Sequence, residues 1–329
     1  VSASASTKIS PTTGWRGSER AFDLITTGPR GKTAKMTTDT LRDPRDRYPR
    51  PPFPDQPQSH PGTSARMQPQ PDHGESTYRG SERLAGRKAI VTGADSGIGR
   101  AVALAFAREG ADVLISYLSE DEDAAETVRL VESAGRKVVP VRGDICEESV
   151  CTDLVRRAVA ELGGVDILVN NAAFQNEVDG IAEITTEQFD RTLKTNLYAL
   201  FWLSKAALAV MPPGASIINT ASVQATKPSP SLLDYATTKG GIVTFTEALA
   251  QEAIEHGVRV NCVAPGPVWT PLIPATMKPD EVRTFGTQSP TGRPAQPAEL
   301  APAYVFLASQ ESSYVNGARI AVTGGTPVP

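Results

Sequence analysis

Residues 92–100 read TGADSGIGR. The apolar run Ala89-Ile90-Val91 leads into this stretch, and Ile98, Val102, Leu104 and Phe106 lead out of it at helical spacing. A strand, a glycine turn and a helix start together make a phosphate cradle. Glycines let the backbone approach a pyrophosphate, and the free N–H groups at the helix start face its negative charge. The glycines stand as G-x-x-x-G-x-G at Gly93, Gly97 and Gly99, with Asp95, Ser96 and Ile98 between them. Their place between a strand and a helix carries more weight than the letters.

Outward from the cradle, strands and helices alternate from Leu84 on. Apolar runs predict strands at 89–91, 111–117, 137–141, 165–169, 216–219, 258–263 and 319–322. Amphipathic runs predict helices at 98–109, 122–134, 147–162, 189–211, 235–255 and 297–308, and glycines at 135 and 163–164 close two of them. Near-continuous apolar strands between helices mean a parallel sheet covered on both faces. With right-handed crossovers this is an α/β fold, a Rossmann-type doubly wound sheet of about seven strands, with ligands at the carboxyl ends of the strands.

Three segments follow from composition. Residues 1–35 are rich in Ser, Thr, Gly and basic residues and read as disordered or appended sequence. Residues 36–83 are dense in proline and read as an extended arm, and 84–329 form the Rossmann domain. Residues 1–86 taken together are net basic and the remainder net acidic, and Tyr48, Phe53 and Tyr78 can anchor the arm, so residues 41–78 are expected to lie on the domain or on a neighbouring subunit. RGSER occurs at 16–20 and again at 79–83, which is too little for a repeat fold.

The chain is 40% hydrophobic with a net charge of −4, which gives no pull toward nucleic acid. No apolar run nears the roughly 18 residues of a membrane span, and none near the first residues reads as a secretory signal. Cys146, Cys151 and Cys262 suit free thiols in a reducing, cytoplasmic setting. His60, His73 and His256 are scattered, which argues against a metal site and against a Ser-His-Asp hydrolase.

The strand ends converge on one crevice. The fourth strand delivers Asn170-Asn171-Ala172-Ala173, the fifth Ser222, and the sixth Pro265-Gly266. Tyr235 and Lys239 stand four apart on one predicted helix and share a face. An ammonium beside a phenol favours the phenolate and should bring the phenol down from about 10. Such a phenol can exchange a proton with a carbonyl oxygen, to which Ser222 can also hydrogen-bond.

These residues resemble the short-chain dehydrogenase/reductase family over residues 84–325. TGADSGIG resembles its cofactor loop, NNAA at 170–173 its NNAG motif, and PGPVWT at 265–270 its PG-x-x-x-T segment. Asn196, Ser222, Tyr235 and Lys239 match its catalytic tetrad. The arm, YRGSERL and SPSLLDYATTK resemble a bacterial general-stress and aldehyde-reductase-like subgroup, with plant glucose/ribitol-dehydrogenase relatives.

The resemblance implies hydride transfer between a nicotinamide and a carbonyl or alcohol. Aldehyde or ketone reduction is the first reading, sugar or polyol oxidation the second, and a silent dinucleotide-binding regulator the rival from another class. Tyr235 would be the acid or base, Lys239 would tune it and hold the ribose, and Ser222 would polarise the carbonyl. Asn196 would hold a relay water. Asp144 and Ile145 would meet the adenine, Ser116 and Tyr117 its ribose, and Val268 and Thr270 the nicotinamide. Asn171, Ala172, Ala173, Pro265 and Gly266 would line the cofactor slot, Ala173 replacing the family glycine. No acid ends the second strand to select NAD and no arginine waits there for a 2′-phosphate, so NADP or NAD is expected, with NADP favoured by the resemblance. Phe174, Gln175, Gln224, Leu232 and Trp269 should line the substrate pocket. The segment 269–285 should form a stiff lid, and a homotetramer should form through the two long helices.

Overall fold

The computed structural model describes residues 41–328. Residues 1–35 and the first RGSER copy lie outside the described residues.

The seven strands are β1 (Lys88–Thr92), β2 (Asp112–Tyr117), β3 (Val138–Arg142), β4 (Ile167–Asn170), β5 (Ser216–Thr220), β6 (Arg259–Pro265) and β7 (Arg319–Val322). They form one sheet in the order β3-β2-β1-β4-β5-β6-β7, and every pairing is parallel. The chain reverses its direction of travel across the sheet between β1 and β4, where such folds open a crevice. Val91 is level with Ile115 on one side and Val169 on the other, so the strand ends that bound the crevice are in step.

Period-two alternation sends successive side chains to opposite faces. Ala89 and Val91 pack with Val102 and Phe106 of α1 (Gly97–Arg108) and with Leu300 and Tyr304 of α9 (Pro297–Ala308). Ile90 packs on the other face with Leu154 of α3 (Glu148–Leu162), Leu203 of α5 (Ala199–Leu208) and Ala250 of α6 (Leu233–Ala253). The remaining early helices are α2 (Asp121–Ser133) and α4 (Thr186–Leu193). Gly163 at φ 90° ends α3 in the left-handed conformation, as its sequence position suggested.

The helical region expected over 189–211 runs from Thr186 to Leu208 with one irregularity inside it. One π turn at Lys194–Tyr198 joins α4 to α5, and such turns displace the residues that follow without ending the helix. The lid segment carries two single-turn helices, α7 (Leu272–Thr276) and α8 (Pro279–Arg283), where a stiff loop was expected. Pro279 opens the second, since its missing N–H is not needed at a helix start. On α5 and α6, Leu200, Leu203 and Ile242 are buried in the chain's own interior, while Phe201 and, just past α6, Ile254 are exposed.

The arm lies on the Rossmann layers. Phe53 is 4% exposed and its ring stands 4.2 Å from that of Trp269. Met67 is fully buried beside them, with Ile273 and Val282. The Tyr48 ring faces the Arg293 guanidinium at 5.2 Å. The Tyr78 hydroxyl donates to Glu109 Oε1 at 2.6 Å. Glu109 is wholly buried, and the second RGSER copy closes over it through the Ser81 N–H and the Arg83 guanidinium.

Candidate active site

The loop between β1 and α1 forms the floor of the crevice. Gly93 has φ +61°, and a Cβ there would stand 2.9 Å from Ala172 Cα. A Cβ on Gly97 would press on Thr270 Cγ2 at 3.0 Å, and one on Gly99 would stand 2.0 Å from the Gly93 carbonyl oxygen. Gly99 therefore shapes the loop from beneath and does not line the crevice. Asn171 braces the loop, its amide donating to Thr92 O at 3.0 Å and Gly93 O at 3.2 Å. The cradle excludes side chains and leads into the first turn of α1, which suits a pyrophosphate.

Ser116, Tyr117, Asp144 and Ile145 line one end. Burial works to raise the Asp144 carboxyl, but the Cys146 N–H and Arg191, 2.6 Å away, hold it below its ordinary range. Glu120 also lines this end and is 9% exposed. Burial, and next the Glu120 carboxylate, push Asp95 up to about 6. Two carboxylates so close together oppose further negative charge. Glu120 was legible in the acidic run that follows β2 but was given no role there.

Ser222, Tyr235 and Lys239 meet at the other end. Ser222 follows β5, and its Oγ accepts the Gln224 N–H at 3.1 Å. Tyr235 and Lys239 lie on α6, with Nζ 5.2 Å from the Tyr235 ring centroid. Lys239 is 2% exposed and donates to Thr220 O at 2.7 Å. The expectation that the ammonium lowers the phenol needs correction. Burial pushes Tyr235 up to about 12, with only the Ser222 hydroxyl acting to lower it. The same burial brings Lys239 down to about 7, so the amine is only partly protonated at neutrality.

Asn196 sits behind the crevice in the π turn. Its Oδ1 accepts from Phe174 N at 2.8 Å, and its Nδ2 donates to Phe174 O at 2.9 Å and Thr238 Oγ1 at 3.0 Å. The side chain is committed to bracing the strand-end loop against α6, so a water at this residue would have to rest on its main chain.

Ala172, Ala173, Phe174, Gln175, Gln224, Leu232, Pro265, Gly266, Val268 and Thr270 line the crevice. Trp269 does not. Its neighbours face inward while its own ring is fully buried on the outer side against Phe53, and Nε1 donates to Pro69 O at 2.8 Å. The Gln175 amide donates to Thr276 Oγ1 at 3.0 Å, and Gln224 Oε1 accepts from Ser229 N at 2.7 Å. Val223, Leu272, Ile273, Met277 and Phe285 add apolar wall. His60 and Pro61 of the arm complete the lining. No local motif marked them, because only the folded chain brings the arm to the crevice.

A family model described as Enoyl-(Acyl carrier protein) reductase matches residues 93–327. The chain is 52% identical over 287 residues to an uncharacterized oxidoreductase, YghA, of Escherichia coli, covering 87% of this chain and 98% of that one. It is 44% identical over 293 residues to a glucose and ribitol dehydrogenase homolog of Oryza sativa, covering 84% and 98%. A short chain dehydrogenase from Burkholderia cenocepacia, solved in complex with NADP, superposes with a TM-score of 0.70 at 30% identity, covering 74% and 98%.

Proposed function

The chain belongs to the short-chain dehydrogenase/reductase family, and on that premise we propose that this oxidoreductase is an NADP(H)-linked reductase of aldehydes or ketones. The observation that carries the reading is the placement of Tyr235, Ser222 and Lys239 at one end of a crevice whose floor is the glycine cradle. The likeness to an NADP-bound dehydrogenase supports the choice of cofactor. The dinucleotide would lie on Gly93, Gly97 and Asn171, with its adenosine toward Tyr117 and Asp144 and its nicotinamide toward Thr270. When bound, it supplies the hydride that reaches the carbonyl carbon. Ser222 donates a hydrogen bond to the carbonyl oxygen, and Tyr235 gives that oxygen its proton as the new C–H bond forms. Lys239 holds the ribose and helps return a proton to Tyr235. In oxidation the tyrosinate takes the alcohol proton.

The apolar wall of Phe174, Leu232, Ile273, Met277 and Phe285 favours a carbonyl with an apolar body, because burying such a body supplies the binding energy. Sugar or polyol oxidation is the second reading, supported by the likeness to a glucose and ribitol dehydrogenase homolog. The commitment of Gln175 and Gln224 to Thr276 and Ser229 counts against it, since fewer amide groups remain to read hydroxyls. A panel of aldehydes, ketones, aldoses and polyols, run with both NADP(H) and NAD(H), tests the reading. Higher kcat/KM for polyols than for every carbonyl would overturn it. We further infer a cytoplasmic homotetramer, in which exposed Tyr198, Phe201 and Ile254 are covered by neighbouring subunits.

A further inference from the structure

Residues 58–64 of the arm cross the crevice from one bank to the other. On the lid bank, Gln58 N donates to Pro274 O at 3.0 Å. Gly62 packs so tightly there that a Cβ would stand 2.7 Å from the Pro271 carbonyl oxygen. On the far bank, Ser64 N donates to Asp123 Oδ2 at 2.8 Å, in the first turn of α2. Asp123 is paired with Arg100 at 2.9 Å, and Arg100 holds the Asp95 carbonyl of the glycine loop at 2.6 Å. Between these anchors, a turn closed by Gly62 N donating to Ser59 O at 2.9 Å carries His60 and Pro61 into the crevice wall. The His60 ring stands edge-on to Phe174 with centroids 5.0 Å apart. The arm also grips the lid from outside. Ile273 packs with Phe53 and Met67 of the arm and at the same time lines the crevice.

We propose that residues 58–64 are a strap over the dinucleotide site, that His60 and Pro61 contact the bound dinucleotide, and that the dinucleotide enters and leaves when the strap lifts from the lid. This rests on the reading of the crevice as a nicotinamide dinucleotide site. The strap is tied to both banks of the crevice, so a ligand on the glycine loop is enclosed by a segment outside the Rossmann layers. Its anchors are a backbone hydrogen bond to Pro274, a hydrogen bond to the Asp123 carboxylate and one tight glycine contact, an arrangement that opens without unfolding the sheet.

The test is stopped-flow binding and release of NADPH, read by tryptophan-to-NADPH energy transfer, in the wild type and in Gly62→Ala. Gly62 has φ +81°, so alanine is strained there as well as pressed on Pro271. Both the association and the release rate should rise by about tenfold, the scale that backbone strain of this kind produces. Unchanged rates in a folded variant would overturn the strap. A second measurement needs no variant. Trypsin should cut the wild type at exposed Arg66 several-fold more slowly when NADPH is saturating, while cutting at Arg42 stays the same. Equal cutting at Arg66 with and without NADPH, in a protein that binds NADPH, would refute the strap alone. A wild type that fails to bind NADPH or NADH would refute the dinucleotide reading and the strap with it.

Discussion

Replacing Lys239 by Met should make the cofactor-free protein more stable at pH 6 while abolishing turnover. The amine is 2% exposed and meets one acceptor, Thr220 O. Burial brings it from 10.5 down to about 7. At about 1.36 kcal/mol per unit, protonating it inside the fold costs up to roughly 5 kcal/mol. Below about pH 7 the folded and unfolded chains both hold the proton, so the whole cost is present. Between about 7 and 10.5 the unfolded chain binds more protons, so the wild type gains stability as pH rises, and above that range the cost is gone. Methionine has similar reach and no charge, but it leaves the Thr220 carbonyl without its donor, a loss of about 1–3 kcal/mol. The variant should therefore gain about 2–4 kcal/mol at pH 6, or roughly 5–15 °C in Tm for a domain of this size. Paired calorimetric melts of the two proteins at pH 6 and pH 9.5, without cofactor, isolate this one group. A gap that does not shrink between the two pH values, or a variant less stable at pH 6, would refute the reasoning.

Tyr235→Phe keeps the ring and removes the proton, so steady-state turnover should fall by about 10²–10⁴ with little change in NADPH affinity. Glu120→Gln removes one carboxylate beside Ser116 and Tyr117 and should raise the ratio of NADP to NAD efficiencies by about tenfold, the effect of one partly screened charge pair. An unchanged ratio would mean that the adenosine end has been misplaced. Phe53→Ala empties the contact with Trp269, so trypsin should reach Arg66 faster while the melting of the Rossmann layers moves little. Light scattering at micromolar concentration should return four times the chain mass, and a monomer would count against the tetramer.

The elements that decide the fold were legible because their signals are local. Strand, glycine turn and helix start occupy neighbouring positions, and Tyr235 and Lys239 are joined by helix spacing alone. What spacing could not supply was desolvation. It placed an ammonium beside a phenol but gave no sign that burial would bring the amine to about 7 and leave the phenol near 12. Trp269 was misplaced for another reason. Its position within PGPVWT put it near the crevice, but which way it turned was decided by Phe53 and Pro69, far away in the chain. His60 and Pro61 carried no signal, because a proline-rich composition predicts extension and not destination.

The seat of the arm has a consequence for how the chain is made. Trp269 Nε1 and Pro69 O are separated by 200 positions. Phe53 and Met67 leave the ribosome early, and their partners Trp269, Ile273 and Val282 leave after six of the seven strands. At about 5–20 residues per second, the arm waits roughly 10–40 s with its apolar side chains unmatched. Closing so long a loop from a random chain would be slow, but the arm runs directly into β1, which is anchored in the sheet before its seat exists. Its final step is a short tethered search over a surface already built. The first described part of the chain to be synthesised is thus among the last to find its place.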